Sequence, residues 1–164
     1  LLASEDVINN FTDAPIWLSG IGQKTISATF TKNDLSKLSS TISASKDAYE
    51  MSNISPSDID VAEVHDAFSV CELMAVGDLG LSGKSQATEF VRNLFNTEDR
   101  KINPRGGLIG AGHPLGATGI SQIIEITEQL QNCAQKRQIS NASKGLIHNM
   151  SAAATSSTVL ILES

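Results

Sequence analysis

The feature that most constrains this chain is a glycine-rich stretch, residues 103–119, with the sequence NPRGGLIGAGHPLGATG. Its six glycines give the backbone access to positive φ and allow close approach to the main chain, while Pro104 and Pro114 fix turns. An apolar helical pattern begins at Ile120, so the stretch leads into a helix N-terminus, where free N–H groups favour an anion. The stretch therefore predicts a loop that presents backbone near negative charge, with His113 in its middle.

Two nucleotide-binding motifs share some of these glycines. A P-loop needs a Lys before its Ser or Thr, and residues 116–118 contain none, which excludes that motif. A dinucleotide fingerprint is closer, because Gly110 and Gly112 are followed by Gly116. Its last spacing is one residue too long and no clear strand precedes it, so this alternative carries little weight.

Composition limits the class of protein further. With 164 residues, 40% of them hydrophobic and 18% charged, the chain is long enough for one domain with a real core. The net charge of −6 and the absence of Lys and Arg clusters interleaved with aromatic residues argue against a nucleic-acid partner.

The two cysteines, Cys71 and Cys133, are far apart and each falls in a predicted helix, so neither a disulfide framework nor a zinc site is expected. No apolar run approaches a membrane span and no signal peptide opens the chain, so we expect no membrane partner and a cytoplasmic location.

Hydrophobic periodicity predicts alternating strands and helices. Strands are predicted at residues 15–19, ended by Gly20 and Gly22, and at 59–64, 145–150 and 155–162. Helices are predicted at residues 35–53, with Asn33 or Asp34 as N-cap, and at 68–79 and 120–130. Residues 80–101 form an excursion outside the sheet. We therefore predict an α/β layered domain, a mixed sheet covered by helices, whose last two strands form a hairpin.

The predicted cores of these elements follow from apolar spacing. Trp17 is expected in the core of the first strand. The core-facing residues predicted for the helices are Leu35, Leu38, Ile42 and Tyr49 in the first, Phe68, Cys71, Ala75, Val76 and Leu79 in the second, and Ile120, Ile123, Ile124, Thr127 and Leu130 in the third.

Two histidines stand at positions where sites form in α/β folds. His65 follows a buried strand and His113 precedes a helix, and ligand sites gather at strand ends near helix starts. A single histidine in a glycine-rich loop is more often structural, but a second one changes that balance. We predict that His65 and His113 approach each other across a shared cleft. Asp66, next to His65, would orient a histidine or cap the following helix.

Residues 103–119 resemble the signature loop of the thiolase family. Residues 63–69 (EVHDAFS) resemble its second active-site motif, in the histidine form of archaeal and sterol-carrier-protein-type thiolases. Residues 13–23 and 145–149 (GLIHN) are similar to the same branch, so the resemblance covers nearly the whole chain.

The resemblance implies roles for individual residues in Claisen condensation or thiolysis of acyl-CoA. His113 would activate the nucleophilic cysteine of an N-terminal half, and His65 would hold the thioester oxygen in an oxyanion hole. The implied substrate-binding residues are Ala67, Phe68, Gly112, His148 and Asn149. For Phe68, the first turn of a packed helix is a nearly equal alternative.

The resemblance also implies an organisation and partners. Residues 1–164 would form one thiolase-like C-terminal domain, with residues 1–10 as the tail of an N-terminal half. The implied partners are an acyl-CoA substrate, that N-terminal half, further copies in a homo-oligomer, and an OB-fold protein as in archaeal thiolases. No metal and no permanently bound cofactor are expected; a coenzyme A thioester enters as substrate.

Two departures from the family pattern leave alternatives open. Ala67 stands where His-Asp members usually place a second catalytic cysteine, and Met150, followed by Ala152–Ala154, stands where biosynthetic members place a cysteine and glycines. Cys71, one helical turn beyond Ala67, is interpreted as a small buried hydrophobic residue. The alternatives to an acyltransferase are therefore a non-catalytic CoA-binding or scaffolding subunit and a thiolase-fold retro-aldol lyase.

Overall fold

A computed structural model describes residues 2–83, 86–96 and 100–164 of the chain. Its strands are β1 (Trp17–Thr25), β2 (Val61–Glu63), β3 (Lys144–Met150) and β4 (Ser156–Glu163). Its helices are α1 (Ser39–Ser52), α2 (Ser69–Asp78), α3 (Ala87–Phe95), α4 (Gly107–Ala111) and α5 (Thr118–Leu130). Short 3-10 helices lie at Glu5–Asn10, Phe30–Lys32, Pro56–Asp58 and Gln135–Arg137.

The four strands form one mixed sheet in the order β1-β4-β3-β2. β2 pairs with β3 in parallel, whereas β3 with β4 and β4 with β1 are antiparallel. An isolated parallel bridge joins Ala62 to Ile102, on the free side of β2. The mixed sheet and the terminal hairpin are therefore as predicted, and the bridge brings the start of the glycine-rich stretch beside the end of β2.

The sheet is covered by helices on both faces because its inner strands are apolar on both sides. Alternate residues of β3 and β4 pack under α1 and α2, among them Leu146, Val159 and Ile161. The residues between them, including Ile147 and Leu162, pack against Ile126 and Leu130 of α5. This arrangement confirms the predicted α/β layered domain with a mixed sheet covered by helices.

The first strand differs from the prediction because its two glycines do not end it. β1 continues through Gly20 and Gly22 to Thr25, with a bulge between Leu18 and Gly20. A Cβ at either glycine would collide with a backbone carbonyl of α1, so these positions are the places where the helix approaches the strand most closely. Trp17, expected in the core, is 41% exposed at the start of this edge strand.

Helix α1 starts at Ser39, later than predicted, and neither Asn33 nor Asp34 caps it. Asp34 instead accepts a hydrogen bond from the N–H of Ser36 (3.0 Å), and the N–H of Leu38 donates to Asp78 (2.6 Å). Leu38 is buried as predicted, and Tyr49 packs partly buried against the core. The buried residues within the helix itself are small: Ser40, Thr41, Ala44, Ser45 and Ala48. Leu35 and Ile42, both expected in the core, are exposed. Close approach to the glycines of β1 selects small side chains on the buried face.

Helix α5 buries Leu130 and partly buries Ile123 as predicted, but the rest of its buried face was not indicated by apolar periodicity. Ile120 and Ile124, both expected in the core, are 62% and 53% exposed. The buried polar residues of the helix are Thr118, Gln122, Glu125 and Gln129. They are tolerated inside because they have partners; Glu125, for example, accepts hydrogen bonds from Arg137 at 2.9 and 3.2 Å.

The predicted excursion at residues 80–101 lies outside the sheet and contains α3. Residues 84–85 and 97–99 of this segment are outside the described residues. Cys133 lies beyond the end of α5, not within a helix, and is exposed. Of residues 1–10, predicted as the tail of an N-terminal half, Leu1 lies outside the described residues and Glu5–Asn10 form a 3-10 helix. Within the described ranges, no helix is both long and apolar enough to cross a membrane.

Candidate active site

The candidate site forms where the segment after β2 meets the glycine-rich stretch. Asn103, at the start of that stretch, accepts a hydrogen bond from the N–H of Val64 through its side-chain oxygen (2.8 Å). Its backbone N–H donates to the carbonyl of Ala62 (2.8 Å), and its side-chain amide donates to Glu72 of α2 (3.3 Å). One buried asparagine thus fixes the glycine-rich stretch, the end of β2 and α2 relative to one another.

Asp66 makes a second connection, which differs from the two that sequence suggested. Its carboxylate accepts a hydrogen bond from the N–H of Leu108 at the start of α4 (2.6 Å), and α2 has no side-chain cap. Gly107, at φ +62°, permits this contact because a Cβ there would overlap the carboxylate. Asp66 therefore holds the glycine-rich stretch, rather than capping the helix that follows it in sequence.

These connections bring the two histidines together. The rings of His65 and His113 lie with centroids 4.9 Å apart and planes at 87°, the edge of one ring against the face of the other. The prediction that they approach each other is confirmed. His65 is 3% exposed, whereas His113 is more accessible.

The proton on His113 can be placed from its neighbours. Its Nδ1 lies 2.7 Å from the hydroxyl of Thr118, which lies 3.2 Å from the carbonyl oxygen of Pro114. Since the carbonyl only accepts, the Thr118 hydroxyl donates to it and accepts from Nδ1–H. Nε2 of His113 then carries a lone pair, the arrangement that a general base requires. Thr118 closes the glycine-rich stretch, but sequence reasoning did not single it out.

Burial lowers the pKa of His65, the neighbouring His113 lowers it further, and Asp66 opposes both effects. Nδ1 of His65 is buried with no hydrogen-bond partner among the described residues. A buried bare lone pair costs less than a buried unpaired N–H, so the proton of neutral His65 belongs on Nε2. The ring is therefore a neutral hydrogen-bond donor.

His148, predicted as a substrate-binding residue, is fully buried in β3. Its Nδ1 accepts a long hydrogen bond from the N–H of His65 (3.5 Å), and its Nε2 lies 3.0 Å from the Thr41 hydroxyl. Burial lowers the pKa of His148 to about 3, with a smaller contribution from His65. Its neighbour Asn149 is partly exposed, and its amide donates to the side-chain oxygen of Gln122 (2.9 Å).

A buried ion pair joins the end of β2 to the start of the glycine-rich stretch. Glu63, fully buried in β2, lies 3.8 Å from the guanidinium of Arg105, and the N–H of Arg105 lies 3.5 Å from its other oxygen. Burial raises the pKa of Glu63 to about 7, although Arg105 pulls it down. Glu63 Oε2 and Nε and Nη2 of Arg105 have no hydrogen-bond partner among the described residues, so the pair is loosely joined.

The remaining predicted site residues border the histidines along the chain. Ala67 is partly exposed between Asp66 and α2, and Gly112 is exposed at φ +93° just before His113. Phe68 is 67% exposed, which excludes the alternative that it begins a packed helical turn. The described residues do not group three or more His, Cys, Asp or Glu side chains as metal ligands.

Neither position expected for a second cysteine carries one, and the nearby turn is unusual. Met150 is buried at the end of β3, and Ala154, in the turn that follows, adopts φ +51°. The N–H of Ala154 donates to the carbonyl of Ser151 (2.8 Å). Cys71 packs partly buried against the core and is a free thiol, in agreement with its interpretation as a small hydrophobic residue.

Comparison with known proteins agrees with this geometry. A layered α/β domain with facing histidines at a strand end and a glycine-rich loop is of the thiolase-like class. The family model described as "Thiolase C-terminal domain-like" matches residues 22–164, and the chain belongs to this family.

Individual relatives extend the comparison. The chain is 37% identical over 153 residues to an acetyl-CoA acetyltransferase of Methanothermobacter thermautotrophicus, covering 92% of the chain and 40% of the relative. It is 47% identical over 109 residues to human sterol carrier protein 2, covering 65% of the chain and 20% of the relative. The chain therefore spans less than half the length of these relatives.

A solved structure described as an "Ltp2-ChsH2(DUF35) aldolase" shares the fold with a TM-score of 0.81. The match covers 98% of this chain and 42% of the other, at 17% sequence identity. At that identity the likeness supports the fold alone.

Proposed function

We propose that this chain is the C-terminal half of a thiolase-type acyl-CoA acyltransferase of the acetyl-CoA acetyltransferase type. It would act in Claisen condensation or thiolysis together with an N-terminal half that carries the nucleophilic cysteine. The observation that carries the proposal is the contact between His65 and His113, in which one ring is a buried neutral donor and the other has a free Nε2. By itself the chain would be inactive.

In this proposal His113 is the base that activates the cysteine. Thr118 holds Nδ1–H, so the Nε2 lone pair is directed away from the helix and is available to take a thiol proton. A thiolate next to the resulting imidazolium is the attacking species on the thioester carbonyl.

His65 would stabilise the negative oxygen that forms during attack. A neutral imidazole donating from Nε2 serves as an oxyanion donor, and such preorganised donors contribute about 3 to 4 kcal/mol to transition-state stabilisation. Its lowered pKa keeps the ring neutral at physiological pH, so it donates a hydrogen bond rather than a proton.

The substrate is proposed to be a coenzyme A thioester that passes over the exposed residues near the histidines. Phe68 and Ala67 would contact the acyl portion, and the backbone of Gly112 and the amide of Asn149 would approach the thioester. The large exposed apolar side chains of this region, Phe68, Ile109 and Leu115, suit an acyl chain better than a charged ligand.

The whole protein is proposed to be an assembly. Exposed Ile120 and Ile124 on α5 give the N-terminal half an apolar surface to cover, and further copies would form a homo-oligomer. An OB-fold protein, as in archaeal thiolases, is proposed as a further partner.

Acetoacetyl-CoA thiolysis by the complete protein, with its N-terminal half present, tests the proposal. Without a second cysteine, wild type should be slower than a standard thiolase by about a hundredfold to ten-thousandfold, which is the usual contribution of a general acid–base group. His113→Ala should abolish the remaining activity, and Cys133→Ala, an exposed control, should leave it unchanged. Full activity in His113→Ala would refute the role of the loop, and aldol cleavage without thiolysis would favour a lyase.

A further inference from the structure

Buried polar side chains form a cluster between α1 and the last two strands, β3 and β4. Hydroxyl groups of α1 and β4 meet the ring of His148 there, in a region without solvent. Consecutive groups of this cluster lie within hydrogen-bond distance of one another and connect two parts of the candidate site. In order, the groups are the His65 N–H, His148, Thr41, Ser157, Ser40 and the Ala154 carbonyl.

The distances describe a continuous chain. After the bond from His65 N–H to His148 Nδ1 (3.5 Å) and the contact from His148 Nε2 to Thr41 (3.0 Å), the hydroxyls of Thr41 and Ser157 are 2.9 Å apart. Those of Ser157 and Ser40 are 2.7 Å apart, and Ser40 donates to the carbonyl of Ala154 (2.8 Å). Every link except the first is short.

The direction of every bond is fixed by the two ends. A backbone N–H only donates and a carbonyl only accepts, and each hydroxyl has one proton. Ser40 donates its proton to the carbonyl of Ala154, so it accepts a hydrogen bond from Ser157. Ser157 in turn accepts from the hydroxyl of Thr41. Thr41 then accepts from Nε2–H of His148. Nδ1 of His148 must then be bare in order to accept from His65. A single arrangement of protons therefore satisfies the whole chain.

We propose that this ordered chain holds the His65 strand end and the β3–β4 turn in one fixed arrangement, with His148 and Thr41 as its positioning residues. Both ends need such support. β2, which ends two residues before His65, is only three residues long, and the turn contains Ala154 at φ +51°, a conformation that is strained for a residue other than glycine.

The chain of bonds also explains the burial of His148 in a way that substrate contact does not. Both ring nitrogens face protein groups and the ring is 0% exposed. Burial lowers the pKa of His148, and the neighbouring His65 lowers it further. His65 is the titratable group that influences His148 from the strand side, and the hydroxyl of Thr41 on α1, itself 2.9 Å from that of Ser157 on β4, is the polar group beside its Nε2.

Amide hydrogen exchange on wild type and Thr41→Val tests the coupling, because valine keeps the shape of threonine and removes the hydroxyl. We expect the amides of His65 and Ala154 to exchange about tenfold faster or more, since cutting the middle of the chain releases both ends. Thr41→Ser should restore protection. Ser45→Ala is the matched control, since the buried Ser45 hydroxyl donates only within α1, to the Ile42 carbonyl (3.0 Å).

A graded variant keeps the test decisive if Thr41→Val does not fold. Ser40→Ala removes the last link alone, so the Ala154 amide should lose protection while the His65 amide keeps it. Loss of protection at both amides, or at neither, would overturn the proposal. The nitrogen chemical shifts of His148 give a second readout: wild type should be protonated on Nε2 only, and a proton on Nδ1 above about pH 6 would also overturn it.

The consequence for catalysis rests on the proposed function, and the two can fail separately. In the complete enzyme, Thr41→Val should lower kcat with little change in KM, and Thr41→Ser should recover it. If wild type shows the expected exchange and tautomer but no thiolysis, the proposed function fails and the ordered chain stands. If wild type is active and Thr41→Val leaves both amides protected, the ordered chain fails.

Discussion

His113 stands at right angles to His65, with their ring centroids 4.9 Å apart, although one ring belongs to a strand end and the other to a glycine-rich loop. At this distance a positive charge on either ring disfavours a charge on the other. His113 therefore contributes to the lowered pKa of His65, after burial. This coupling allows one ring to accept a proton while the other remains a neutral donor.

The coupling predicts opposite effects of two substitutions on the pKa of His65. His113→Ala should raise it, because the neighbouring ring now lowers it, while Asp66→Asn should lower it further, because the carboxylate now raises it. Asparagine keeps an acceptor for the N–H of Leu108, so the loop contact is preserved. Histidine proton NMR titration measures both shifts. A shift of the same sign in the two variants would contradict this account of the site.

Two glycines of α4, Gly107 and Gly110, allow the contribution of the Asp66 contact to stability to be measured. Gly107→Ala should lower the free energy of unfolding by about 3 kcal/mol, because a Cβ at φ +62° is strained and displaces the Asp66 carboxylate. Gly110→Ala is the matched control: space around Gly110 is open, and alanine there should be neutral or stabilise by up to about 1 kcal/mol. Urea denaturation of the two variants decides; equal midpoints would show that Asp66 does not anchor the loop.

The buried groups Glu63 and His148 predict opposing dependences of stability on pH. His148 has a folded pKa of about 3, below its ordinary value of 6.5, so it favours unfolding as pH falls from 6.5 towards 3, by about 1.4 kcal/mol per unit. Glu63 has a folded pKa of about 7, above its ordinary 4.5, so it favours folding as pH falls from 7 to 4.5, by a similar slope of about 1.4 kcal/mol per unit.

The two slopes cancel between pH 4.5 and 6.5, and only that of His148 remains below 4.5. Urea denaturation of wild type, His148→Asn and Glu63→Gln from pH 4 to 7.5 separates them. Relative to wild type, His148→Asn should gain stability as the pH falls, and Glu63→Gln should lose it. Parallel curves for all three proteins would mean that neither group has a shifted pKa.

The sequence predicted those parts of the fold that are marked by a local pattern of residues. The apolar run of β4, the strand-to-helix junction at His65 and the glycine-rich loop are local patterns, so the hairpin and the meeting of His65 with His113 followed from them. The family resemblance extended this to nearly the whole chain, and the match over residues 22–164 confirmed it.

The buried faces of α1 and α5 could not be predicted in the same way. Periodicity counts apolar side chains. The buried side chains of α1 are instead small because the helix lies directly against Gly20 and Gly22 of β1. The buried face of α5 includes polar side chains that have hydrogen-bond partners inside the protein. Gln122, for example, donates to the carbonyl of His148 (3.2 Å). Thr41 and Ser157 escaped notice for the same reason, since a hydroxyl in a helix or strand gives no sign of its partner until both are placed in space.

The last prediction concerns the proton that a thiolase must return to its leaving group. Ala67 stands directly after His65 and Asp66, where the resemblance places a cysteine. The two cysteines of the chain are Cys71, one helical turn further on, and Cys133, which is exposed beyond α5. In the complete enzyme, Ala67→Cys should therefore raise the rate of acetoacetyl-CoA thiolysis by about tenfold or more, the lower part of what a positioned acid contributes. Cys71→Ala should leave the wild-type rate unchanged, because that thiol packs against the core. Ala67→Ser is the matched control for size, since a hydroxyl is a much weaker acid than a thiol, and it should give no gain. A wild-type rate at the level of standard thiolases, lost in Cys71→Ala, would show instead that Cys71 supplies the proton.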